Sequence, residues 1–255
     1  MTNTPAQGPV ALKNVASFMA MTVKLIERPL HLPGFGVCHG PSGYGKSWAS
    51  MYVQMKVKAR RIEVGETWTR RTLLRHILKE CGETVRKSWS ASDLAELAKA
   101  ALGADTTRPL IVDEADKLVD KNMIEVLREL QQESGVPVIL IGEEKLPGKL
   151  LTVERIHNRV LDWFPAQPCD LDDTKVLATS FQPKVKFDEE LLDTIRLRSS
   201  GRARRIVTNI DKAGEFARDR GHKTLDLKIW SDFYTGEPPV QRDVEQFPRR
   251  IVRAA

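Results

Sequence analysis

The sequence predicts an α/β protein in which a largely parallel sheet, covered by helices on both faces, precedes a small helical domain. Short apolar segments, typical of buried strands, alternate with longer segments of helical periodicity as far as Pro165. After Pro168 the helical patterns follow one another with no strand between them. The chain has 255 residues, of which 41% are hydrophobic and 29% charged. This composition suits one main core and excludes a disordered, collagen-like or coiled-coil protein.

Four strands are predicted in the first part of the chain, at residues 34–39, 60–64, 110–112 and 137–141. Helices are predicted around them, where apolar residues recur every three to four positions. These helices lie at about residues 14–28, 46–58, 69–82, 90–102 and 121–133. Asn14 is the expected cap of the first helix, and Thr67 or Thr69 is the expected cap of the third. In such an alternating fold, ligands bind at the carboxyl ends of the strands.

The chain is predicted to divide near Pro165 and Pro168. We expect residues 1–168 to form the α/β core and residues 169–235 to form a helical lid. The lid helices are predicted at about residues 171–180, 188–198 and 201–218. Residues 236–255 are expected to be an extended or mobile basic tail.

Cysteine usage and hydropathy indicate the surroundings of the protein. Cys38, Cys81 and Cys169 are far apart and form no C-x-x-C pair, so neither a disulfide framework nor a zinc site is expected. This pattern favours a reducing compartment, the cytoplasm. The longest apolar run, residues 136–141, is far shorter than the roughly 18 residues of a membrane-spanning helix. We therefore expect no membrane partner.

A phosphate-binding motif lies between the first predicted strand and the second predicted helix. Residues 40–47, Gly-Pro-Ser-Gly-Tyr-Gly-Lys-Ser, match G-x-x-x-x-G-K-[ST] in full. Its glycines allow backbone N–H groups to converge on phosphate oxygens, and the helix N-terminus adds partial positive charge. Lys46 is expected at the β- and γ-phosphates and the Ser47 hydroxyl at Mg²⁺, so ATP and Mg²⁺ are the predicted cofactors. The predicted nucleotide-binding segment consists of Gly40, Pro41, Ser42, Gly43, Tyr44, Gly45, Lys46, Ser47 and Trp48.

A strand that ends in two carboxylates provides the second half of the predicted site. The apolar residues 110–112 are followed by Asp113 and Glu114. We expect Asp113 to hold Mg²⁺ through water and Glu114 to orient and deprotonate the attacking water. A capping role for the two acidic residues is the alternative. The presence of both motifs in this order favours nucleotide binding, and the glutamate favours hydrolysis.

Residues 113–116 also spell the Asp-Glu-Ala-Asp tetrapeptide of DEAD-box RNA helicases. Those enzymes need a second ATPase-like lobe with its own arginine motif. The residues after the expected fifth strand are too few for such a lobe and have helical patterns, so this interpretation is rejected.

The five histidines have no metal-ligand spacing, and Mg²⁺ is the only metal expected.

Taken with the helical lid, the two motifs resemble those of the AAA+ ATPases over about residues 12–230. The resemblance implies ATP bound between subunits, with an arginine finger donated by a neighbour from the stretch before the fifth strand. Arg159 is the first candidate for this finger and Arg155 the second, and a solvated surface arginine is the alternative.

The resemblance also implies two sensor positions. In the lid, residues 201–206 resemble the sensor-2 motif, and Arg204 is the first candidate and Arg205 the second. At sensor 1 the chain departs from the family pattern, because the fourth strand is followed by Glu143 and not by Asn, Thr or Ser. Glu143 is the candidate for that place.

Within this superfamily the compact core, the Gly-Glu-x-x-Leu turn at residues 142–146 and the short lid resemble the transposition ATPases typified by phage Mu transposition protein B. This resemblance implies an ATP hydrolase that self-associates into a ring or helical filament on double-stranded DNA and delivers it to a transposase. It implies the cytoplasm of a bacterium or phage-infected host. We expect this chain to lack a counterpart of the amino-terminal helix-turn-helix domain of the Mu protein. The alternatives are a helicase loader and a nucleotide-switched protein scaffold.

The placement of positive charge supports a nucleic-acid partner. Residues 56–87 contain ten basic and four acidic residues, an excess equal to the net charge of +6 for the whole chain. In related assemblies the corresponding loop and helix line a central channel, where cations follow phosphates without reading sequence. A solvated basic helix or a subunit interface is the alternative. The candidate DNA contacts are Trp68, Thr69, Arg70, Arg71, Arg75 and Lys79, with Arg249, Arg250 and Arg253 as further basic residues in the tail.

Overall fold

A five-stranded parallel sheet forms the centre of the computed structural model, which describes residues 12–237. Its strands are β1 (Phe35–His39), β2 (Arg60–Glu63), β3 (Leu110–Asp113), β4 (Val138–Gly142) and β5 (Val160–Pro165). The order across the sheet is β2-β3-β4-β1-β5, and every pair is parallel. The predicted α/β fold class, a parallel sheet covered by helices, is confirmed.

Helices cover both faces of the sheet and form most of the lid. In the core they are α1 (Lys13–Ile26), α2 (Lys46–Val57), α3 (Arg70–Cys81), α4 (Ala91–Gly103), α5 (Asp116–Asp120), α6 (Ile124–Ser134), α7 (Leu146–Leu151) and α8 (Glu154–His157). In the lid they are α9 (Leu171–Phe181), α10 (Glu189–Arg198) and α11 (Ala203–Arg220).

The strands are apolar at almost every position because the sheet is buried on both faces. Phe35 and Val37 belong to the cluster that includes α3, α4 and α6. Cys38 and Ile139 point to the other face and pack in the cluster that includes α1, α2 and the lid helices. All four side chains are fully buried.

Two helix starts agree with the capping residues in the sequence. The Thr69 hydroxyl accepts a hydrogen bond from the Thr72 N–H at 3.3 Å and begins α3, so Thr69 and not Thr67 is the cap. Ser90 and Asp93 form a reciprocal capping box at the start of α4.

Asn14 does not cap the first helix, which corrects the prediction from sequence. The cap position is Leu12, and Asn14 lies inside α1 with its side chain buried. Its amide instead donates to the Tyr44 and Gln167 carbonyls at 2.8 and 2.7 Å and accepts from the Gln167 N–H at 3.0 Å. This side chain therefore connects α1 to the β1–α2 loop and to the segment after β5.

Two further predictions differ from the structure. The helix expected at 121–133 starts only at Ile124, because Asn122 has a left-handed backbone (φ 51°) that separates α6 from the short helix α5. The lid also contains two strands where none was expected, β6 (Lys186–Phe187) and β7 (Thr224–Leu225), which pair with each other. Strands of two residues carry too little periodicity to be recognised. The predicted tail, residues 236–255, lies outside the described residues from 238 onward.

Candidate nucleotide-binding site

A cavity of about 490 Å³ lies at the carboxyl ends of β1, β3 and β4, where the lid meets the core. The strand order brings the two predicted motifs to the same edge of the sheet. β4 lies between β1 and β3, so the end of β4 lies between the two motifs. The lining from the core consists of Leu12, Ser42, Gly43, Gly45, Lys46, Ser47, Trp48, Met51, Asp113, Glu114, Gly142 and Glu143. The lining from the lid consists of Leu177, Phe181, Ala203, Arg204, Val207 and Thr208.

The β1–α2 loop curls around the Lys46 ammonium group. Gly45 caps α2 with a left-handed backbone (φ 82°), a conformation that favours glycine. Lys46 Nζ donates to the carbonyls of Gly40 and Pro41 at 2.6 and 2.9 Å. Burial lowers the pKa of this lysine, although nearby acidic groups oppose the shift. The ammonium is therefore held at the cavity by weak neutral acceptors, which an anionic ligand would replace.

Asp113 is almost fully buried and is paired with a cation that the sequence did not reveal. Arg61 Nη2 lies 2.7 Å from Asp113 Oδ2, and the same guanidinium donates through Nε to the Ser50 hydroxyl at 2.8 Å. Ser50 in turn donates to the Ser47 carbonyl at 2.7 Å. This chain of contacts joins β2, β3 and the first turn of α2 beneath the cavity.

Glu114 has a strained backbone, with a left-handed φ of 58°. Such a conformation in a residue other than glycine costs on the order of 1–3 kcal/mol and is typical of functional sites. The Glu114 N–H donates to Asp113 Oδ1 at 3.0 Å, and the carboxylate lies 3.6 Å from Lys117 Nζ. Lys117 also contacts Glu66 at 3.5 Å, which connects Glu114 to the loop after β2.

Glu143 lines the cavity, and its backbone is held by Asp116. Asp116 Oδ2 accepts a hydrogen bond from the Glu143 N–H at 2.8 Å. A Cβ at position 142 would overlap that carboxylate, so Gly142 leaves the space that the contact needs. The last residue of the Asp-Glu-Ala-Asp tetrapeptide therefore supports the end of β4.

The two candidate sensor-2 arginines, Arg204 and Arg205, differ in their position relative to the cavity. Arg204 lines the cavity and its N–H donates to the Gly43 carbonyl at a long 3.4 Å. Arg205 does not line the cavity and instead lies against Gly236. Arg202, which the sequence analysis missed, donates to the Ser42 carbonyl at 3.4 Å. The geometry favours Arg204 over Arg205 for contact with a bound nucleotide.

Arg155 and Arg159 do not line the cavity of their own chain. Arg155 is exposed and Arg159 half-buried, and Arg159 Nη1 donates to the Arg155 carbonyl at 2.7 Å. Both lie beside the start of β5, and their suggested role in a neighbouring subunit stays a prediction.

The basic stretch at 56–87 is in part structural. Arg60 is buried and donates to the carbonyls of residues 101, 105 and 108, while Arg61 pairs with Asp113. Trp68 stacks on His76 with ring centroids 4.1 Å apart, so its ring is already covered by protein on one side.

The remaining candidates for DNA contact lie on or next to α3. Arg71 and Arg75 donate to the carbonyls of Lys87 and Arg86, and Arg70 to that of Asn122. Thr69 is occupied as the cap of α3, and Lys79 is exposed in its last turn. The exposed cations Arg70, Arg71 and Lys79 leave the predicted nucleic-acid surface available at this helix.

Comparison with known proteins agrees with this geometry. Residues 30–150 match the family model described as an AAA domain. Among solved structures, the protein is similar to Aeropyrum pernix ORC2 in its ADPNP and ADP complexes, with a TM-score of 0.71 and 14% identity over 89% of this chain and 68% of that one. This chain has a P-loop AAA+ fold.

Further AAA+ structures show the same similarity. Cdc6p from Pyrobaculum aerophilum has a TM-score of 0.63 and 15% identity over 89% of this chain and 68% of that one. Aeropyrum pernix ORC1 in complex with DNA has a TM-score of 0.62 and 16% identity over 87% of this chain and 64% of that one. At these identities the likeness shows the fold. No curated protein matches the sequence.

The residues at the cavity fit ATP with Mg²⁺. The cavity combines a lysine ammonium, glycine backbone and a helix N-terminus, which are the groups that bind phosphates. Within residues 12–237, no group of three or more His, Cys, Asp or Glu side chains could hold a metal by itself. Mg²⁺ commonly needs only one or two protein ligands besides phosphate oxygens, which Ser47 and Asp113 could supply.

Within residues 12–237, no helix is long and apolar enough to cross a membrane.

Proposed function

We infer that this protein is an ATP hydrolase whose nucleotide state controls binding to double-stranded DNA. The observation that carries the proposal is the convergence of Lys46, Asp113, Glu114 and Arg204 on one cavity. These residues come from two segments of the core and from the lid, and each has a distinct task in phosphoryl transfer.

The tasks follow from charge and position. Lys46 and Arg204 neutralise the negative charge that develops on the transferred phosphoryl group. Ser47 and Asp113 would hold Mg²⁺, which would supply Lewis-acid chemistry at the phosphates. Glu114 orients the attacking water and accepts its proton. Glu143 takes the sensor-1 place, since its backbone is held at the end of β4 by Asp116.

The arginine finger is proposed to act between subunits. Arg159, or Arg155 in second place, would reach the γ-phosphate held by a neighbouring copy, so that hydrolysis depends on assembly. Both residues lie away from their own cavity, which is the placement that a contribution to a neighbour requires.

DNA binding is proposed to use the exposed cations of α3 together with ATP-dependent self-association. The finer proposal is that the protein forms a ring or filament on target DNA and presents it to a transposase. It rests on the sequence resemblance at the Gly142–Leu146 turn and on the compact lid. Phosphate contacts of this kind bind DNA without sequence preference.

The test measures binding to a random-sequence duplex with ATP, with ADP and without nucleotide, at two salt concentrations, for the natural protein and Lys46→Ala. We expect binding only with ATP, a steep loss with salt and no binding by the variant. Glu114→Gln should keep ATP-dependent binding while losing hydrolysis, because it retains the shape of the site and removes the base.

Other outcomes identify the alternatives. A preference for single-stranded DNA would favour a helicase loader. No binding to either nucleic acid, with ATP hydrolysis intact, would overturn DNA binding and favour a nucleotide-switched protein scaffold.

A further inference from the structure

A second cavity, of about 530 Å³, lies wholly within the lid and is separate from the nucleotide site. It is formed by α9, the turn that follows it, β6, the start of α10 and the residue before β7. Its lining consists of Lys175, Ala178, Thr179, Gln182, Pro183, Lys184, Val185, Lys186, Phe187, Glu189, Leu192 and Lys223. We call this surface the lid groove.

The lid groove contains four lysines and one acidic residue. Lys175 Nζ is paired with Glu189 at 2.6 Å, which neutralises one of the four charges. Lys184, Lys186 and Lys223 are exposed and form no ion pair with residues of the described part of the chain. The groove therefore keeps an excess of three positive charges.

The backbone keeps these lysines together. A turn and a bend at residues 183–185 lead into β6, and Val185 and Phe187 pack on the hydrophobic core of the lid. Lys184 and Lys186 are both exposed and line the groove. The Lys186 N–H donates to the Lys223 carbonyl at 2.9 Å, so the β6–β7 pairing brings in a third lysine from the segment between α11 and β7.

The three unpaired lysines line one groove, and their like charges repel one another without a counter-ion. A polyanion removes that repulsion and releases its own condensed counter-ions. Lysines at the rim and apolar residues such as Ala178 and Leu192 at the floor suit a sugar–phosphate backbone, since charge is needed only at the phosphates.

We propose that the lid groove is a second binding site for the phosphate backbone of double-stranded DNA, independent of α3. This inference rests on the proposed DNA-binding function and adds a surface to it. Binding there carries no sequence information, since lysines act as point charges on phosphates. Because the same lid also contributes Arg204 to the nucleotide cavity, DNA on this groove would contact the element that senses the nucleotide.

The experiment compares Lys186→Glu/Lys223→Glu with a matched control, Arg198→Glu/Lys228→Glu. The control also replaces two basic side chains with glutamates, at exposed lid residues that do not line the groove. Binding to a random-sequence duplex is measured with a non-hydrolysable ATP analogue between about 50 and 200 mM salt. ATP-analogue binding and thermal unfolding of each variant verify that the core and lid are intact.

The groove variant is expected to bind DNA at least about tenfold more weakly, with a slope of log K against log salt reduced by about two units. The control should bind as the natural protein does. A milder pair, Lys186→Gln/Lys223→Gln, should lose affinity in the same direction while avoiding new negative charge. Equal affinity and slope for the natural protein and both groove variants would overturn the groove site alone. Absence of duplex binding by the natural protein would overturn the proposed function as well.

Discussion

Arg61 shows how a single side chain can belong to the fold and to the site at once. Its guanidinium contacts Asp113 and Ser50 below the cavity, and its side chain is only 14% exposed. A positive charge at this point stabilises a buried carboxylate that would otherwise be costly to desolvate. The aspartate is thereby oriented at the place where Mg²⁺ is expected.

The first prediction follows from this pair. Arg61→Ala should lower the free energy of unfolding of the nucleotide-free protein by about 3 kcal/mol, because Asp113 would stay buried without its partner. Urea denaturation measures the change. Arg70→Ala is the control, since Arg70 is exposed and makes one long hydrogen bond of 3.3 Å, and it should change stability by less than about 0.5 kcal/mol. Similar midpoints for the two variants would contradict the assignment.

The second prediction concerns Asp116 as a positioning residue. Asp116→Ala removes the acceptor of the Glu143 N–H and should reduce kcat for ATP hydrolysis by about tenfold or more, with ATP affinity nearly unchanged. Asp116→Asn keeps an oxygen acceptor and should recover much of the rate.

Asp120 provides the matched control for this experiment. It shares Lys149 with Asp116, at 2.6 Å from the ammonium, but it is exposed and does not contact Glu143. Asp120→Ala should leave kcat unchanged. An equal loss of kcat in both variants would assign the effect to Lys149 and not to the position of Glu143.

At the scale of elements, the cavity depends on how α1, the β1–α2 loop and the segment after β5 are held together. Asn14 makes this connection through three hydrogen bonds from inside α1. The amide at this position satisfies the Tyr44 and Gln167 carbonyls, which have no partner in a helix or strand.

The third prediction tests this connection. Asn14→Ala should lower the free energy of unfolding by about 3 kcal/mol, because it removes three part-buried hydrogen bonds to the loop and to Gln167, each worth about 1 kcal/mol. Asn14→Asp retains an acceptor for the Gln167 N–H but loses both donated bonds, and should also destabilise. Asn158→Ala, at an exposed position after α8, is the control. Thermal unfolding measured by circular dichroism checks all three, and an unchanged midpoint for Asn14→Ala would refute the role.

At the scale of the whole molecule, the nucleotide cavity is closed by the core on one side and by α9 and α11 on the other. A ligand that contacts both sides stabilises their native arrangement. Stabilisation by a ligand follows from its concentration relative to its Kd, provided that it does not bind the unfolded chain.

The fourth prediction is a nucleotide-dependent increase in thermal stability. At a hundred times Kd, an ATP analogue with Mg²⁺ should add about 2.7 kcal/mol and raise Tm by about 5 to 10 °C. Lys46→Ala should lose this increase. Arg204→Ala should show a smaller increase than the natural protein, because it removes the contact from the lid. A full increase in Lys46→Ala would show that the nucleotide binds elsewhere.

Local sequence patterns were sufficient to predict much of the secondary structure and many residues of the candidate site. The β1–α2 loop motif, the carboxylates after β3 and the cap at Thr69 each depend on residues close in sequence, so they can be recognised from sequence alone. The wrong assignment of Asn14 has the same origin, since an asparagine near a helix start resembles a cap unless its partners are known.

The sequence by itself determined the class of fold and most strands and longer helices of the core, and it predicted the phosphate-binding segment. Periodicity and short motifs encode these features over a few residues. Only the tertiary structure decided that Arg61 pairs with Asp113, that Asp116 holds Glu143, that Arg204 rather than Arg205 reaches the cavity, and that Lys186 lies beside Lys223. These contacts join residues far apart in the chain or depend on which way a helix faces, and both are set when the sheet and lid pack together.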